Sequence, residues 1–134
     1  MAKFVVTTDI AGFLAPLDQA LFSDFLNLAS HLYSEGYEDA AAVICLSALE
    51  GHLRKLSEKA GIVLTTDNGL PKNAAVLNEE LAAKGAYSGL DRDNVSAWLD
   101  LGSRAGRADS DRNRPDQVAL LLEGVRSFLD RYPA

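Results

Sequence analysis

Four arginines, Arg104, Arg107, Arg112 and Arg114, stand close together against two aspartates, Asp109 and Asp111, a local charge of +2. A guanidinium offers a fixed fork of donors to phosphoryl or carboxylate oxygens. These four are therefore the candidate contacts for a phosphate-bearing or protein partner. Histidine titrates near neutrality and serves as general acid or base, and the chain has two, His31 and His52. Each lies beside a leucine in a helical pattern, which reads as a satisfied packing or surface histidine. The one cysteine, Cys45, sits in the apolar run "AAAVICLSALE", where a free thiol behaves as a small core residue. One cysteine and two histidines do not assemble a zinc site, so no metal and no cofactor are expected. No glycine-rich phosphate loop or nucleophile elbow is present. Glu79 with Glu80, and Asp91 with Asp93, read as surface acids near helix ends, without a catalytic role.

These residues need a scaffold, and the composition bounds it. With 134 residues, one domain is expected. A hydrophobic share of 48% with 24% charged residues fits a globular chain with its own core. The net charge of −6 argues against broad binding to nucleic acid or anionic membranes, while leaving room for a local basic patch. The longest mostly apolar run, Ala40 to Leu49, is half of the roughly 20 residues that a membrane span requires. The start "MAKFVVTTD" lacks the long apolar region of a signal peptide. A cytoplasmic protein without membrane contact is the expectation.

Five helices can be read from the pattern. The first is expected from about Pro16 to Ser34, with Leu21, Phe25, Leu28 and Leu32 on one face and Phe22, Leu26, Ala29 and Tyr33 in a parallel stripe. Gly36 suits the position after its end. The second runs from about Tyr37 to Ala60, burying Val43, Leu46, Leu49, Leu53, Leu56 and Ala60, and Gly61 closes it. Glu50, Arg54 and Glu58, at successive i,i+4 positions, read as its solvated face. "IVLTTDNGLPKN" is a loop with turn residues. Asn73 then caps a short third helix carrying Val76, Leu77 and Leu81 to about Lys84. Asp91 is the expected cap of a fourth helix, with Val95, Trp98 and Leu99 inside. Pro115 opens a fifth, with Val118, Leu122, Val125, Leu129 and Tyr132 on one stripe and Pro133 at its end. Only "KFVVTT" looks strand-like, and one strand without a partner makes no sheet. The expected architecture is all-α: an antiparallel four-to-five-helix bundle over residues 14–134, preceded by a short extended arm over residues 1–13.

The order and spacing of three stretches carry a resemblance: Phe22 to Ile62 with its "GYEDAAAV", Asn78 to Leu101, and Asp116 to Pro133. Together they resemble the HEPN superfamily of compact all-α domains, and more closely its small prokaryotic members. That resemblance implies a dimer. In active members a late helix carries Arg, a polar residue that is often Asn, and His a few residues on. Two copies of this motif meet across the dimer and cleave RNA without a metal. The histidine exchanges a proton while the arginine steadies charge on the phosphate. The tryptophan helix of this chain aligns with that motif without a gap. The Arg position is then Gly102, the Asn position Ser103 and the His position Arg107.

Both catalytic side-chain types are thus absent. A guanidinium is not deprotonated near neutral pH, so Arg107 cannot serve as the base, and Gly102 supplies no donor. The expected function is a non-catalytic HEPN-like domain, a pseudoenzyme acting as a homodimerisation or protein-interaction module. The resemblance suggests a toxin–antitoxin or defence context, with a nucleotidyltransferase-like antitoxin as partner. Two alternatives stay open: RNA binding without cleavage, and a HEPN ribonuclease toxin with an atypical site. Gly102 and Gly106, four residues apart, either clear one helical face for close backbone approach or mark where the fourth helix ends.

Overall fold

The computed structural model describes residues 19–107 and 115–134. The expected arm over residues 1–13, the strand-like "KFVVTT", and Arg112 and Arg114 lie outside them. The described chain is an all-α helical bundle: α1 Gln19–Ser34, α2 Glu38–Lys59, α3 Ala74–Ala83, α4 Gly89–Arg107 and α5 Pro115–Arg131.

The central helix is α2, which touches each of the other four. Its small residues permit this. Ala41, Ala42, Cys45, Ala48 and Gly51 are all buried, so neighbours approach from several sides. Leu49, Leu53 and Leu56 are buried as expected, whereas Val43, Leu46 and Ala60 of the expected stripe are only half-buried. α1 returns antiparallel to α2 through a tight turn. Gly36 there has φ 91°, and Tyr37 N–H reaches back to the Leu32 carbonyl at 2.9 Å, closing the helix end. Gly61 ends α2 in the same way, at φ 78°.

The stripe on α1 needs correcting. Phe22, Leu26 and Ala29 form the buried face, while Phe25 and Leu32 are half-buried and Leu28 is 44% exposed. Both stripes are equally periodic; α2 and α5 cover the second. On α5, Val118, Leu121, Leu122, Val125, Phe128 and Leu129 are buried. α4 and α5 run antiparallel, since Asp91 meets Arg131 near one end and Trp98 meets Gly124 farther along.

Three local expectations also change. Arg54 is not on a solvated face: it is 9% exposed and its Nη2 donates to the Lys72 carbonyl at 2.7 Å, tying the 62–72 loop to α2. That loop carries one isolated antiparallel bridge, between Thr65 and Pro71. The cap of α4 is Ser88, whose Oγ accepts from Asp91 N–H at 3.1 Å. Asp91 itself is almost fully buried rather than a surface acid. Asn73 does cap α3, accepting from Val76 N–H at 2.9 Å. Of the two readings left open for Gly102 and Gly106, the helix end falls away, since α4 continues through both to Arg107.

Candidate functional site

The second half of α4 carries the motif positions. Val95, Trp98 or Leu99, and Gly102 recur at helical spacing, which turns position 102 toward α2. Gly102 is buried there. A Cβ at this position would lie 2.8 Å from Leu46 Cβ and 3.2 Å from both Leu46 methyl carbons. The missing side chain thus lets α4 lie close against α2.

Ser103, next along, is exposed. It lines a groove of about 350 Å³ with Ser96, Leu99 and Asp100 of α4, Leu46 and Glu50 of α2, and Asn73 at the start of α3. Its charged lining residues, Glu50 and Asp100, are both acids. Arg104 turns the other way and pairs with Asp100 one helical turn back, Nε to Oδ2 at 3.3 Å. It borders a second groove of about 260 Å³, formed by Trp98 and Leu101 of α4 and Gln117, Leu120 and Leu121 of α5. Leu120 is 66% exposed at that rim.

Gly102, Ser103 and Arg104 therefore share one stretch of helix but face three different surroundings. Arg107 is the last residue of α4, and its side chain, like Arg112 and Arg114, lies outside the described residues.

Neither histidine belongs to this region. His31 is exposed on α1. His52 is fully buried, with its Nε2 at 2.7 Å from the Tyr132 carbonyl and its ring in T-shaped contact with Phe22 and Phe128. Burial lowers its proton affinity more than that carbonyl raises it. Cys45 is a core residue as expected, and burial pushes its thiol up to about 12, against a weaker pull from the charge of Arg126. Among the described residues, no cluster of histidine, cysteine and carboxylate side chains could hold a metal ion. No helix among them is long and apolar enough to cross a membrane.

A polar cluster at the opposite end of α4 is not foreseen from sequence. The Asp91 carboxylate accepts from Tyr132 Oη at 2.6 Å, Arg131 Nη1 at 3.2 Å and Ser88 Oγ at 3.3 Å. Burial pushes the Asp91 pKa up, but hydrogen bonds from Arg131, Tyr132 and Ser88, with the Arg131 charge, outweigh it and hold it below the ordinary aspartate value. Nearby, Tyr87 donates to Asn78 Oδ1 at 2.6 Å. The spacing Ser88-x-x-Asp91 is the one sequence signal of this cluster, since it suits a reciprocal cap.

No family model, no curated protein and no solved structure matches the chain.

Proposed function

We propose that this chain is a non-catalytic HEPN-like domain that works as a dimerisation or protein-interaction module. The carrying observation is the packing at position 102. In the resemblance this is the place of the phosphate-binding arginine, yet here even a methyl group would press on Leu46 at 2.8 Å. An arginine would need room for six further side-chain atoms. The bundle is packed around the missing side chain, which supports a non-catalytic reading over a nuclease site with an arginine at this position. Arg107, at the place of the histidine, carries a group that stays protonated near neutral pH.

The apolar groove between α4 and α5 is the surface this reading assigns to the second copy. It supplies a half-buried Trp98 and Leu101 with the exposed Leu120 at its rim. A nucleotidyltransferase-like antitoxin would be a partner by resemblance alone. RNA binding without cleavage has less support, because the charged residues lining the groove beside Ser103, Glu50 and Asp100, are acids.

Sedimentation velocity at micromolar concentration tests the assembly. The expected result is a dimer that Leu120→Arg converts to monomer, because a charge would be buried without a partner. A wild-type chain that stays monomeric removes the dimerisation reading and the assignment of this groove to a second copy.

A further inference from the structure

The buried imidazole of His52 is used by nothing described so far, and its bonding is unequal at the two ring nitrogens. A carbonyl can only accept, so the 2.7 Å contact to the Tyr132 oxygen places the ring proton on Nε2. Nδ1 is then a bare acceptor. It is buried and has no hydrogen-bond partner. Phe22 and Phe128 make T-shaped contacts with the ring at centroid distances of 6.2 and 6.0 Å.

The carbonyl that His52 holds belongs to the C-terminal turn just after α5. A second grip acts on the same residue, since Tyr132 Oη donates to Asp91 at 2.6 Å. Lys59 Nζ also reaches the Pro133 carbonyl at 3.3 Å. The turn covers apolar surface: Tyr132 stacks at an angle on Tyr87 and Phe128, with centroids 5.7 and 5.3 Å away. We propose that His52 is an acid-sensitive latch on this turn, which opens when Nδ1 takes a proton and the charged ring needs water.

The ionisable groups around the latch are known from each neighbouring element. α5 brings Arg131 and Tyr132 to the turn, α4 brings Asp91, and the joint before α4 brings Tyr87. Lys84 at the end of α3 reaches the Ala60 carbonyl, and α2 itself contributes Lys59. Asp24 of α1 is exposed, and the α1 group against the ring is the uncharged phenyl of Phe22. Asp91 is engaged by Arg131 and Tyr132, so it is not an unspent counter-ion for an imidazolium. The proton affinity of His52 in the closed bundle is accordingly below the ordinary histidine value of 6.5, burial being the dominant cause. The sign follows. Above pH 6.5 neither open nor closed chain carries the proton. As pH falls below it, the open turn binds the proton first, and the closed turn loses stability until the lowered value is reached.

The test is amide exchange by NMR on the full chain from ~pH 7.5 to ~pH 5, corrected for intrinsic rates, beside His52→Gln. Glutamine keeps a donor near the Tyr132 carbonyl and removes the titration. In wild type, exchange at residues 130–132 should rise relative to mid-α2 as pH falls below 6.5, by at most about tenfold per pH unit for a single proton, and the variant should show no such rise. An equal rise across the chain, or the same rise in both proteins, overturns the proposal. Should the variant not fold, wild-type imidazole nitrogen shifts decide it. Nδ1 protonation must coincide with shifts at residues 130–133, and protonation without them overturns the latch. Exposed His31 supplies a second imidazole signal in the same spectrum.

Discussion

Replacing Gly102 by alanine adds a methyl group 2.8 Å from Leu46 Cβ, a backbone-anchored atom that cannot rotate aside. Overpacking of this kind costs roughly 1–3 kcal/mol, and the better helix propensity of alanine returns about 1 kcal/mol. Urea denaturation should show a net loss of about 1 kcal/mol for Gly102→Ala. In a Leu46→Gly background the same change should stabilise by about 1 kcal/mol, since the space is then free. Asp91 makes a prediction of a different kind. Its pKa is held down in the folded chain, so its contribution is present above the ordinary aspartate value of 3.8 and is lost as pH falls through the lowered one. Asp91→Asn should flatten the acid limb of a stability–pH curve and cost on the order of 2 kcal/mol near neutrality, where the carboxylate hydrogen bonds are missing. An unchanged acid limb would place the relevant titration elsewhere.

At the scale of helices, the joint between α4 and α5 depends on a second close glycine. A Cβ at Gly124 would fall on the Trp98 ring, 2.8 Å from Cε2 and 3.1 Å from Nε1. Gly124→Ala should therefore lower stability, the overpacking cost of roughly 1–3 kcal/mol being offset in part by about 1 kcal/mol of helix propensity. Trp98 is the sole tryptophan, so its fluorescence should shift as the ring moves toward solvent. Fluorescence identical to wild type would mean that the two helices separate without disturbing the ring. Periodicity made the helices and their ends readable, because glycine after Ser34 and Lys59, Asn73 before Ala74 and Pro115 at the head of α5 each do a local job. It could not choose between two equal stripes on α1, because that choice is made by where α2 and α5 lie. Nor could it foresee the burial of Arg54, whose partner is a loop carbonyl 18 residues away. The Asp91 cluster joins residues 40 and 41 positions apart and leaves only its Ser88 cap in the local pattern. Gly102 is the middle case. Its helical spacing from Val95 and Trp98 marks the buried face, but a glycine in an alignment reads first as a loss and only in three dimensions as a contact.

For the whole molecule, the proposal is that a bundle built to hold a catalytic motif now holds its shape without the chemistry. The close approach of α4 to α2 at Gly102, the tie from Arg54 to the 62–72 loop and the grip on Tyr132 all maintain the fold. None of them presents an acid–base pair to a phosphodiester. The direct test is to incubate the wild-type chain, in excess, with single-stranded RNA in metal-free buffer and follow the products on a gel. The expected result is the same pattern as RNA without protein. Cleavage above that background, abolished by Arg107→Ala, would contradict the non-catalytic reading.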